Sequence, residues 1–120
     1  MNRVKSSLYI FFSPIMNKFA HALSAALDRC IATKEISERG NNVGFMYREA
    51  PVFEHDSGWR FFSGEESDEY TDNPDNFTIL SINEIIQNTP EVQTFLQESA
   101  GAWEWTEHGF SPVHDWQPKD

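Results

Sequence analysis

His55, Asp56 and Ser57 are the three residue types of a hydrolytic triad, placed side by side. Neighbouring side chains diverge, whereas a triad needs base, acid and nucleophile converging from separate segments. Ser57 also lacks the Gly-x-Ser-x-Gly frame that presents a nucleophile on a strand-to-helix turn. The simpler reading is an Asp-Ser-Gly turn, its short polar side chains bonded to nearby backbone, leading into a strand at Trp59. A second group with chemical potential is the acidic run Glu65, Glu66, Asp68, Glu69, Asp72 and Asp75, which contains no Lys or Arg. Calcium ligation by Asp68, Asp72 and Asp75 would need the alternating Asp order, glycine and closing glutamate of a calcium loop, and these are missing. Two of the carboxylates could form a glycosidase pair, but nothing fixes their separation. What remains is a docking surface for a basic protein or a solvated loop.

Other chemistry is thinner. Cys30 is the single cysteine, so no intrachain disulfide can form and a reducing compartment is expected. His21, His55, His108 and His114 show none of the close spacing that structural zinc requires. Neither Gly-x-Gly-x-x-Gly nor a Walker lysine occurs, so no nucleotide cofactor is expected, nor any metal.

The elements that position these residues follow from periodicity. Ile15, Phe19, Leu23, Ala26, Leu27 and Cys30 recur at three and four, the apolar stripe of an amphipathic helix. Before it, Arg3, Lys5 and the run Leu8 to Phe12 imitate a secretory signal, but Ser13 and Pro14 break the run early. It is also too short to span a bilayer, so a cytoplasmic chain is expected, with Met16 as a second possible start. Thr33 is placed to cap a turn from Lys34 to Arg39 that Gly40 ends.

Val43, Phe45 and Tyr47 alternate as a strand, and Gly58 to Ser63 form a second, antiparallel to it, with Trp59 and Phe61 on one face. Glu65 to Asn76, with Asn73 and Pro74, reads as a loop. Phe77 to Leu80 is a third strand, followed by the capping box Ser81 to Glu84 and a helix through Ile85 and Ile86. Thr89 caps a restart at Pro90, with Val92, Phe95 and Leu96 as its buried stripe. Trp103 and Trp105, then Phe110 to Val113, form a last hairpin. Trp59, Phe61, Trp103 and Trp105 are expected to line the core. Trp116, beyond the last strand, is the best candidate for an exposed aromatic. The fold expected is α+β: a mainly antiparallel sheet with helices packed on one face, preceded by an N-terminal amphipathic helix. Residues 1–29 are an extension, helical from about residue 15, and residues 30–120 are the domain.

Charge narrows the partners. Nine Lys and Arg against 19 Asp and Glu give a net charge of −10, the wrong sign for phosphate neutralisation and hence for nucleic-acid binding. The imbalance lies beyond residue 34, since Arg3, Lys5, Lys18, Arg29 and Lys34 face Asp28 alone before it. A basic partner fits such a field.

Four segments carry a family resemblance: Cys30-Ile31-Ala32-Thr33-Lys34, Val43-Gly44-Phe45-Met46-Tyr47-Arg48-Glu49, Asp56-Ser57-Gly58-Trp59-Arg60-Phe61-Phe62-Ser63-Gly64, and Asp72-Asn73-Pro74-Asp75-Asn76. Together they resemble the bacterial immunity protein 33-like family over roughly residues 30–113. The resemblance implies an intracellular, non-catalytic protein that binds and neutralises a cognate protein toxin. On that reading Glu65, Glu66, Asp68, Glu69, Asp72 and Asp75 would meet a basic toxin surface. Asp56, Ser57, Gly58, Trp59, Phe61, Gly64, Asn73 and Pro74 would be motif residues of structural or functional role, Gly58 and Gly64 for the backbone and Trp59 for the core. The alternative from another class is a small-ligand-binding or regulatory domain with a pocket near Trp59 and Trp105.

Overall fold

The computed structural model describes residues 27–116. The helix expected from about residue 15 lies outside them, except for its last two apolar positions. Leu27 is irregular, and Cys30 belongs to a strand, β1 (Arg29–Thr33). Cys30 and Ala32 point into the core with Ile31 between them. That period of two competes at Cys30 with the period of three and four, and strand partners on both sides of β1 decide it.

A single turn, α1 (Lys34–Ser37), follows, and Gly40 closes it with φ 75° and a bond from its N–H to the Ile36 carbonyl. Thr33 stands at the cap position without capping; its hydroxyl donates instead to Glu66 Oε2 at 2.6 Å. The chain continues through β2 (Phe45–Arg48), β3 (Asp56–Phe62), α2 (Asp68–Thr71), a 3-10 turn at Pro74–Asn76, and β4 (Phe77–Ser81). It ends with α3 (Ile82–Asn88), a 3-10 segment at Pro90–Phe95, β5 (Gly101–Thr106) and β6 (Gly109–Pro112). The Ser81–Glu84 capping box forms as expected. Thr89 does not cap Pro90–Phe95 with its side chain; its hydroxyl accepts the Val43 N–H at 2.9 Å, tying that segment to the entry of β2.

The fold is α+β, and its six strands run in the order β4-β1-β3-β2-β5-β6. The sheet is mixed, whereas a mainly antiparallel one was expected: β1 lies parallel to β3, and the other pairings are antiparallel. The parallel pair follows from β1, which enters the sheet between β3 and β4. On one face Cys30, Ala32, Met46, Trp59, Phe61 and Trp103 pack against Ile36, Ile85 and Val92 from the helical elements. Each large side chain buried there contributes roughly 1.5 to 3 kcal/mol. Trp59 stacks on Phe61 at 6.0 Å and meets Trp103 at 5.6 Å. Trp105 does not join this core; it is 48% exposed, its ring edge-to-face with Phe110 on the terminal hairpin.

Candidate functional site

The motif from Asp56 to Gly64 first shapes the sheet. Arg29 pairs with Asp56 and Ile31 with Arg60, so β3 uses four residues where β1 uses two. The surplus forms a bulge at Ser57 and Gly58. Gly58 has φ 90°, and a Cβ there would lie 2.0 Å from the Glu49 carbonyl oxygen. A turn was expected at this point; the short side chains do bond nearby backbone, but within a strand. Ser57 Oγ donates to the Arg29 carbonyl at 2.7 Å and accepts the Trp59 N–H at 3.2 Å.

The bulge lets Arg60 Nη1 and Nη2 reach Asp56 Oδ1 and Oδ2 at 2.9 and 2.8 Å. Asp56 also accepts the N–H groups of Val52 and Gly58, both at 2.8 Å. Burial alone would raise the Asp56 pKa, but the Arg60 guanidinium and the two backbone donors hold it below the ordinary value. Arg60 Nε donates to Glu49 Oε2 at 2.6 Å, and its pKa is raised against the opposing effect of burial. With the Asp56 carboxylate paired to Arg60 and the Ser57 proton directed to backbone, these residues serve the fold and do not resemble a triad.

The acidic run is more ordered than a loop. Ser67 caps α2 by accepting the Tyr70 N–H, and Asn73 caps Pro74–Asn76 by accepting the Asp75 N–H. Glu66 turns inward, where it accepts bonds from Thr33 Oγ1 at 2.6 Å, the Ser63 N–H at 2.8 Å and the Gly64 N–H at 3.0 Å. Desolvation pushes the Glu66 pKa up, and these donors outweigh it, so the carboxyl stays below its ordinary value. Gly64, with φ 94°, packs against Gly44, whose own position has no room for a Cβ: one would lie 2.1 Å from the Ser63 carbonyl oxygen. Glu65, Asp68, Glu69, Asp72 and Asp75 remain exposed.

The second face of the sheet is apolar too. Phe45, Tyr47, Phe62 and Phe77 form a continuous ring cluster there, with centroid distances of 5.8 Å for Phe45–Phe62 and Tyr47–Phe62 and 6.1 Å for Phe62–Phe77. Trp116, expected to be exposed, is half-buried because it lies against Tyr47, the rings tilted by 37° at 4.2 Å. No helix among the described residues packs across this face. Instead α2 and the Pro74–Asn76 turn border it, enclosing an open cleft of about 370 Å³ lined by Tyr47, Glu49, Arg60, Phe62, Asp72 and Phe77 among others. Trp59 and Trp105 line two different, smaller or more polar depressions, so they do not share a pocket.

The rings of this face thus stand beside the exposed Asp72. The immunity protein Imm33 domain matches residues 30–112 of the chain. The chain belongs to that family. Comparison with curated proteins and with solved structures yields no match.

The Imm33 match runs from β1 to the end of β6 and so takes in the whole sheet, the bulge and the acidic segment. The family is generally non-catalytic. Among the described residues of this Imm33 chain no three His, Cys, Asp or Glu side chains gather to hold a metal ion, and no helix is long and apolar enough to cross a membrane. Four members of its cleft, Tyr47, Glu49, Arg60 and Phe62, belong to no reactive motif of the sequence. Their signal is present in the sequence: Phe45 and Tyr47 alternate with Met46, and Phe62 follows Phe61, so both phases of β2 and β3 are apolar and both faces of the sheet must be covered or used.

Proposed function

We propose that this Imm33 protein binds and neutralises a cognate, basic protein toxin in the bacterial cytoplasm, without catalysis or cofactor and without nucleic-acid or membrane binding. The observation that carries the reading is an open aromatic sheet face beside Asp72, in a segment whose Glu65, Asp68, Glu69 and Asp75 are also exposed, in a member of an immunity family. Acidic surfaces steer basic partners and suppress wrong ones, while rings at the centre of the patch supply most of the affinity. Glu66 has a different part: bonded to Thr33, Ser63 and Gly64, it fixes where the other carboxylates stand.

The test is capture of proteins from the native bacterium on the tagged chain, at low and high salt, with bound species identified by mass. One stoichiometric basic partner, encoded beside this gene and released by salt, is the expected result. Reversal of Asp68, Glu69 and Asp75 to lysine should abolish that capture, and unchanged capture would refute the acidic docking surface. No partner at either salt would move the function to small-ligand binding.

A further inference from the structure

We propose that the cleft between the sheet face and the acidic segment receives an arginine side chain of a protein partner, its guanidinium lying against the Phe62 and Phe77 rings and paired with Asp72 and Glu49. The inference rests on the docking reading above and gives it a recognition chemistry. Three observations carry it.

The first is charge. Arg60 is 4% exposed at the base of the cleft and already holds the buried Asp56 carboxylate through two bonds and Glu49 through a third. Asp72 lines the same cleft, where Arg60 is already committed to Asp56 and Glu49. Asp72 makes no side-chain hydrogen bond or ion pair among the described residues, and Glu49 uses only Oε2 on Arg60. Carboxylates outnumber cations around this cleft, so it favours a further cation, and an anion would meet the excess negative charge.

The second is shape. Tyr47 is covered by Trp116 and stacked with Phe62, whereas Phe62 and Phe77, at 84° to each other, line the cleft beside Asp72 and Glu49. A planar, weakly hydrated, forked cation suits that combination; a compact, strongly hydrated ammonium suits it less. The third is the chain's own usage. Arg48 lies over the Trp59 ring at 5.6 Å and Arg60 over Phe53 at 6.0 Å, so guanidinium on ring is already a packing mode of this sheet.

The experiment is an NMR titration of the full chain with N-acetyl-arginine methylamide, following backbone amides and aromatic ring signals. Saturable shifts should centre on Phe62, Asp72 and Phe77, weaken with salt, and be absent with the uncharged citrulline counterpart. Asp72→Asn, at an exposed position, should keep the amide spectrum of the fold and bind about tenfold more weakly, as expected for one charge-assisted bond. Equal shifts from citrulline, equal binding of the lysine counterpart, shifts centred elsewhere, or unchanged affinity in Asp72→Asn would each overturn the assignment. The two readings fail separately. If the arginine compound leaves the cleft unmoved while reversal of Asp68, Glu69 and Asp75 abolishes capture of the toxin, the arginine site falls and the docking surface stands. If arginine binds as described and that reversal changes nothing, the docking surface falls and the arginine site stands.

Discussion

The Asp56 carboxylate and the Arg60 guanidinium meet in two parallel hydrogen bonds of 2.9 and 2.8 Å, although four residues of a regular strand span about 13 Å. The bulge at Gly58 removes that distance, and neither partner reaches solvent to any useful extent. The pair is desolvated, fully hydrogen-bonded and dependent on one backbone irregularity.

Removing one partner should therefore be severe. Asp56→Ala leaves the Arg60 charge buried with Glu49 alone, which should cost about 3 to 5 kcal/mol. At about 4 to 8 °C per kcal/mol for a domain of this size, thermal unfolding followed by circular dichroism will register it easily. In a double-mutant cycle, Asp56→Ala with Arg60→Met should cost less than the two single changes summed, because the double variant leaves no orphaned charge.

Acid should destabilise the fold in a defined window. The Asp56 and Glu66 carboxyls are held below their ordinary values of 3.8 and 4.5, so the folded state binds these protons less readily than the unfolded one. Their contribution is fully present above the unfolded values and is lost as pH falls through the folded ones. Urea midpoints should be flat from about pH 7 to 5.5 and fall below about 4.5, with a shallower fall in Glu66→Gln. A midpoint that rises on acidification in that window would contradict the assignment.

Alanine at glycine positions separates strain from collision. Gly40→Ala meets no atom within 4 Å and should cost only the positive φ, about 1 to 2 kcal/mol. Gly58→Ala adds a collision with the Glu49 carbonyl oxygen at 2.0 Å, and Gly44→Ala, without a positive φ, collides with the Ser63 carbonyl oxygen at 2.1 Å. Both should be clearly less stable than Gly40→Ala in parallel denaturant titrations, since the obstructing atoms are backbone.

Cys30 should be inert in the folded chain. Burial pushes its thiol up to about 12, and its Sγ–H points at the Leu80 carbonyl at 3.5 Å. A disulfide-exchange reagent at pH 8 should react only at the rate of unfolding, and immediately in denaturant. Fast labelling of the native chain would show that β1 opens readily.

Much of the positioning was legible in local patterns. The Ser81–Glu84 box, the stop at Gly40 and the inward pair Trp59 and Phe61 each depend on neighbours within a few residues, and each appears as expected. Long-range pairing was not legible. Cys30 carries both a helical and a strand period, and only β3 and β4 on either side of it choose between them. Thr33 and Thr89 have the type and place of caps, yet Glu66 and Val43, distant in sequence, claim their hydroxyls. Glu66 itself looks like any other member of an acidic run; only its fit against Ser63 and Gly64 sets it apart. Arg60 gives no sign of its partners either, because the bulge that joins it to Asp56 is a property of the β1–β3 register.

The strand order bears on how the sheet is assembled. Ala32 needs Phe61 on one side and Thr78 on the other, so among the described residues an interior strand comes first and both its neighbours come later. Pairings between such distant segments slow folding, toward about milliseconds to seconds, because each loop must close before any contact rewards it. During synthesis the β1 edge that meets β4 stays unpaired until Ser81 has emerged, and an unpaired edge is a template for another nascent chain. Late pairing of an interior strand makes assembly, more than the finished fold, the stage exposed to aggregation.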